Sequence, residues 1–383
     1  MAATKGKVAG AARPAEFIPI NRPLLGEEEK RAVVSVLESG ALTDSSFEGG
    51  RFVREFEGKV KRLLGVKHAV AVNSGTAALH ASLMALGVKE GDEVIVPSMT
   101  FVATANVVLA CGAKPVFVDI KRDYNLDPKA VGRAVSKRTK AIIPVHLYGY
   151  PADMDEIVEV AGKNSLRIVE DAAESLGAEY RGRQTGSIGD VGCFSMYASK
   201  VATSGEGGVI STNDDELAEV LREVRSHGMV HGYDSRRLGF NYRLPEIPAA
   251  IASVQMDRLP SFLAARRRNA NLLTRLVTGP DAEFTQDSGD RTHVFYLFTL
   301  LLGKNRDRVK KRLNEKGIGA SVYFATPVHE TPLYAKLGYS RKRLPFTEEA
   351  SKRVLSLPVH PGVTPGQLER VAEEFLEAKA LAV

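Results

Sequence analysis

Seven short apolar runs, most of them separated by helical patterns, constrain this 383-residue chain more than any other feature. They cover residues 69–73, 93–97, 115–120, 141–146, 167–171, 191–196 and 208–212. The helical patterns between them cover residues 76–86, 103–110, 128–135 and 154–161. Runs that are apolar throughout, rather than at alternate positions, suit strands buried on both faces. Strands alternating with helices predict a largely parallel sheet with helices on both sides. In such sheets ligands gather outside the carboxyl ends of the strands. Ser74, Thr100, His146, Asp171 and Ser195 fall at those ends.

The flanking segments complete an α/β chain. Residues 22–40 read as a helix with an acidic first turn (Glu27, Glu28, Glu29), closed by Gly40. Residues 51–64 place Phe52, Val53, Phe56, Val60, Leu63 and Leu64 on one helical face, and Gly65 stops them. A helix over 217–225 leads into a polar, irregular loop over 227–243. From about residue 246 the pattern changes to two helices (247–259 and 261–276), then a strand (293–302) and a helix (306–316). A further strand (320–324) and a last helix (366–380) follow. The expected organisation is a large domain over 17–245 and a smaller α/β domain over 246–383. Residues 1–16 are small, basic and without an apolar core, so we read them as a disordered tail.

Composition excludes several classes. Cys111 and Cys193 are the only cysteines, which fits a reducing cytoplasm and rules out a Cys-based zinc site. No apolar run approaches membrane-spanning length. Of the net charge of +6, Lys5, Lys7 and Arg13 supply three in the tail. The clusters 266–268 and 341–343 are solvated faces or docking points for an anionic small molecule. No motif that reads nucleic acid accompanies them. His227 and His231 are four apart, but Gly228 makes a shared helix face, and hence a metal site, a poor reading.

The chemistry centres on the stretch 193–208. It sets Lys200 in a small-residue loop between two buried strands, where a bare ammonium is costly to desolvate. Joining the amine to a carbonyl as a Schiff base removes that cost. Four further features suit pyridoxal phosphate (PLP). Asn73-Ser74-Gly75-Thr76 opens a helix at a strand end, a place that favours phosphate. Asp171 closes a buried strand, where it would keep a pyridine nitrogen protonated and make the ring an electron sink. Ser195 adds a strand-end hydroxyl, and Phe101 an aromatic face that can stack on a planar ring. Taken singly, a helix cap, a capped strand end and a core phenylalanine are the commoner roles of such residues. Together they make a kit.

That kit resembles the DegT/DnrJ/EryC1/StrS family of PLP-dependent nucleotide-sugar aminotransferases, a branch of the aspartate aminotransferase fold (fold type I). The likeness runs from about Phe17 onward and includes residues 73–79, 97–106, 144–155, 170–178, 194–208, 226–228, 241–243 and 323–329. The resemblance implies a seven-stranded, mostly parallel large domain and a smaller C-terminal one. It implies Lys200 as the Schiff-base lysine, Asp171 as the pyridine partner and Phe101 as the stacking ring. Gly75, Thr76 and Ser195 match phosphate contacts, and Glu174 a position beside the cofactor. Asn241 matches a residue that reaches the neighbouring subunit's site, which implies a homodimer with shared sites. Tyr323 and His329 match the sugar site, and Arg243 a substrate contact; no metal is implied.

Departures concern the substrate. Pro248 stands where most members have Gln, Met196 replaces a common aromatic, and Ser199 a common Asn or Gln. Glu174 and the run 146–154 most resemble perosamine synthases, which aminate C4 of a GDP-4-keto-6-deoxy sugar. L-glutamate is the implied amino donor. A 3-ketosugar aminotransferase, a sugar dehydratase of the same family and a non-catalytic regulator that binds PLP or a nucleotide sugar are the competing readings. Lys200 argues against the dehydratase, whose branch carries histidine there.

Overall fold

A computed structural model describes residues 16–230, 232–277, 282–284 and 288–381. The expected tail and His231 lie outside the described residues, apart from Glu16. Each of the seven apolar runs contributes a strand to one sheet: β1 (His68–Val72), β2 (Glu93–Pro97), β3 (Lys114–Val118), β4 (Thr139–Ile142), β5 (Arg167–Asp171), β6 (Val191–Ser195) and β7 (Gly208–Thr212). Their order is β1-β7-β6-β5-β4-β2-β3. All pairings from β3 to β6 are parallel, and β7 runs antiparallel to both neighbours. The inner strands are buried on both faces, which is why they read as continuous apolar runs.

The helices follow from the same burial. Gly75–Ala85 is apolar nearly all round because it lies between the sheet and its neighbours; Ala77 through Leu83 are all buried. Arg51–Leu64 buries Phe52, Val53, Phe56, Val60 and Leu64 and ends at Gly65, whose φ of 66° is left-handed. The Glu246 carboxylate accepts the N–H of Phe52 at 2.8 Å, placing a negative charge at that helix's N-terminus.

Three sequence expectations change. The two helices expected over 247–276 are one, Glu246–Val277, with Pro260 inside it. Proline removes one helical hydrogen bond, but Met256, Leu259, Phe262 and Ala265 stay buried on either side of it. The first half of this helix packs in the large core with Phe52 and Phe56, and its last turns pack with Leu368, Val371 and Phe375. The strand expected over 293–302 shrinks to Phe298–Leu302, which pairs with Ala282–Phe284 and Val354–Leu357 in a small antiparallel sheet. Residues 320–324 form no strand beyond an isolated bridge between Ser321 and Ser356. These irregular segments turn Tyr296, Tyr323 and Phe324 towards the end of the large sheet. Beside the outermost strand β3, the rings of Tyr334 and Tyr339 meet Phe117 edge-on at 5.4 and 5.3 Å.

Candidate active site

At the carboxyl ends of the parallel strands lies a cavity of about 470 Å³, within the ordinary range for a small-molecule site. Gly75, Thr76, Phe101, Asp171, Glu174, Ser195, Lys200 and Tyr323 all line it. The sheet brings them there. Asp171 ends β5 beside Cys193 of β6, and Ser195 pairs with Gly208 of β7. Gly75 starts its helix against Ser195: a Cβ on it would come within 2.9 Å of the Ser195 Cβ. Only glycine allows that approach. Ser74 caps the same helix by accepting the Ala77 N–H at 3.0 Å. The result is a helix N-terminus beside a hydroxyl, an end suited to an anion.

The same cavity holds the amine. The Lys200 side chain is only 15% exposed, and its Nζ lies 3.4 Å from the Glu174 carboxylate. It also sits 4.5 Å from the centre of the Tyr296 ring. Burial pulls the Lys200 ammonium down, but Tyr296, Glu174 and Asp171 outweigh it, so the net direction is up. Burial pushes the Asp171 carboxyl up, against the Thr104 hydroxyl, the Ala173 N–H, Lys200 and His146. Glu174 is also pushed up by burial, opposed first by Lys200 and by the Tyr148 N–H that it accepts at 2.8 Å. Phe101, 59% exposed, offers its ring to the cavity, and Phe324 lies 6.4 Å from it.

Three expected residues are not brought there. His329 is fully buried behind β2: Ser98 Oγ lies 2.7 Å from its Nδ1 and accepts its backbone N–H at 3.0 Å. Arg243 donates to Ser226 Oγ at 3.0 Å. Asn241 is exposed, with its carbonyl accepting from the Asn73 side chain. His146, noted as a strand-end residue, is buried against Glu170 at 3.0 Å. Among the described residues one group could bring metal-ligating atoms together, His329, Glu330 and Glu348, but Glu348 already accepts from Arg343 and the Leu344 N–H. Within 266–268, Arg266 is buried and donates to the carbonyls of Phe295 and Tyr296, so it is part of the framework and not a docking point.

Sequence reasoning missed Tyr296 and Thr104. Tyr296 was hidden in an expected strand. Thr104 follows Thr100 by four residues, which was the available signal.

Comparison with known proteins shows the family of the chain. Residues 23–376 match the model of the DegT/DnrJ/EryC1/StrS aminotransferase family. The chain belongs to this family. It is 42% identical over 372 residues to the GDP-perosamine synthase of Caulobacter vibrioides, covering 92% of this chain and 96% of that one. It is also 42% identical over 333 residues to the UDP-N-acetyl-3-dehydro-alpha-D-glucosamine 3-aminotransferase of Acidithiobacillus ferrooxidans, covering 86% and 89%. The solved PLP form of Spr1654 from Streptococcus pneumoniae shares its fold with a TM-score of 0.91, at 27% identity over 96% of this chain and 100% of that one. The protein is thus a PLP-dependent aminotransferase with the expected α/β fold. Its cavity fits the cofactor. It offers an anion-favouring helix start held open by a glycine, a buried acid, an exposed aromatic face and one buried amine. No helix among the described residues is long and apolar enough to cross a membrane.

Proposed function

We propose that this aminotransferase moves an amino group from L-glutamate to a nucleotide-linked 4-keto-6-deoxy sugar, with Lys200 as the residue that carries and serves the cofactor. The observation that supports this most is the position of Lys200, a shielded amine facing Asp171 and Glu174 in one cavity. Bound PLP supplies an electron sink for the carbon that loses a proton. In this reading Gly75, Thr76 and Ser195 hold its phosphate, Phe101 stacks on its ring and Asp171 faces its nitrogen. Lys200 takes the proton from the substrate carbon and returns it on the other side of the exchange, as a general acid and base. Glu174, 3.4 Å from Nζ, is the nearest carboxylate able to share that proton. Tyr296, Tyr323 and Phe324, from the part of the chain after 246, close the wall on the sugar side.

We propose further that the active unit is a homodimer in which Asn241 reaches the partner's cavity. Its exposure and its absence from its own cavity's lining support this, as do the exposed Tyr233 and Leu238 in the same loop. A role for His329 and Arg243 at the substrate requires contacts outside their own chain's cavity lining.

The named relatives include both a perosamine synthase and a 3-aminotransferase at equal identity. Glu174 and the run 146–154 favour the 4-keto sugar. A panel of 3-keto and 4-keto sugar nucleotides, each offered to glutamate-treated enzyme, tests the choice. Preferred turnover of 3-keto substrates overturns the C4 assignment. No turnover of any, with cofactor bound and no bleaching by glutamate, favours a binding protein instead.

A further inference from the structure

Asp171 is held by a hydroxyl relay that the sequence did not announce. Thr104, fully buried at the start of the helix Ala103–Ala110, donates from Oγ1 to Asp171 Oδ2 at 2.8 Å. Thr100 Oγ1 lies 2.9 Å from Thr104 Oγ1. A hydroxyl has one hydrogen, and that of Thr104 is spent on Asp171. The hydrogen between the two threonines therefore belongs to Thr100. The other oxygen, Oδ1, accepts the Ala173 N–H at 3.2 Å. A buried threonine in a helix ordinarily bonds back to a carbonyl one turn earlier. Thr104 instead reaches across 67 residues to a carboxylate, and both threonines line the cavity.

We propose that Thr104, oriented by Thr100, is a positioning residue that keeps Asp171 ionised and aimed at the cofactor's ring nitrogen. The proposal rests on Asp171 having that role. Two effects compete at Asp171. Burial at 5% exposure favours the neutral acid, and donors that can bond only to lone pairs favour the carboxylate. Thr104 is the first of the groups opposing burial at Asp171. Without its hydroxyl, the proton shared between ring nitrogen and carboxyl moves towards the carboxyl. The ring then draws electrons less strongly. Thr104→Val keeps the shape and removes the donor, whereas Thr104→Ser keeps the donor.

The test loads wild type, Thr104→Val and Thr104→Ser with PLP labelled with nitrogen-15 in the ring, and reads the ring-nitrogen shift at neutral pH. The expected result is a protonated nitrogen in wild type and in the serine variant, and a shift towards the unprotonated value in the valine variant. Turnover of the valine variant should fall about 10- to 100-fold, the range for losing a hydrogen bond to a charged group. A protonated nitrogen in wild type that is unchanged in Thr104→Val overturns the role of Thr104. An unprotonated nitrogen in wild type overturns the Asp171 assignment beneath it. Should Thr104→Val not fold, Thr100→Val is read instead. A smaller shift in the same direction supports the relay, and no shift overturns it.

Discussion

The carboxyl end of the large sheet and the later part of the chain place their expected site residues differently. Gly75, Thr76, Phe101, Asp171, Glu174, Ser195 and Lys200 come from strand ends or the loops just after them, and all meet in one cavity. Of the expected residues from irregular segments, Tyr323 lines it, but Asn241, Arg243 and His329 do not. The first group is placed by one rule of parallel sheets, since every parallel strand delivers its C-terminal neighbours to the same rim. The second has no such rule. Its placement depends on loop paths and, under the homodimer proposed above, for Asn241 on a second copy of the chain. A chemical role is therefore easier to assign where topology does the positioning.

The largest expected effect lies at the sheet rim. Lys200→Ala should cut turnover by about 10³-fold or more, in line with the loss of a proton carrier together with the cofactor's attachment. Circular dichroism should stay native, because Lys200 is held by the cavity and not by the core. Residual turnover near the wild-type rate would break the contrast at its stronger end.

Mixing two inactive proteins tests the other group. Lys200→Ala and Asn241→Asp, denatured together and refolded, should recover up to about a quarter of wild-type activity, because half of the random dimers carry one intact site of two. Activity no higher than that of either parent would mean that Asn241 serves its own chain or none.

A smaller effect is expected at His329. Its ring packs near Phe117 and its Nδ1 meets Ser98 within the core. His329→Ala should lower stability by about 1–3 kcal/mol and leave turnover within about threefold. A hundredfold fall in turnover with an unchanged melting temperature would place His329 at the substrate after all.

The mildest test concerns His293, buried just before Tyr296. Burial lowers its pKa from 6.5 to about 3. The unfolded chain takes up a proton below pH 6.5 that the folded chain refuses, so stability falls as the pH drops from 6.5 towards 3. The loss from this group is about 1.4 kcal/mol per pH unit. The melting temperature of His293→Phe should depend less on pH in this window than that of wild type. Parallel profiles would show that His293 is not the group responsible.

Much of this was legible in the sequence, for stated reasons. Strands buried on both faces must be apolar throughout, so all seven could be found within a few residues of their ends. Gly65 and Gly40 marked helix ends because left-handed φ values of 66° and 68° suit glycine. Lys200, Asp171 and Ser195 stood out because polar residues at the ends of buried strands need a reason. Pro260 misled, since the burial of the long helix outweighs the hydrogen bond it lacks. Tyr296 and Phe324 were unreadable, because irregular backbone, and not periodicity, turns them to the cavity. Thr104 could have been found from the i, i+4 spacing to Thr100, but its partner lies on a distant strand.

The central claim is that one amine, at Lys200, anchors the cofactor. Reduction of the PLP-loaded protein with borohydride, followed by proteolysis and mass spectrometry, reads that anchor directly. We expect a single phosphopyridoxyl group, on Lys200, in near-stoichiometric yield. The same group on any other lysine, or none on a protein that has bound PLP, would contradict the account.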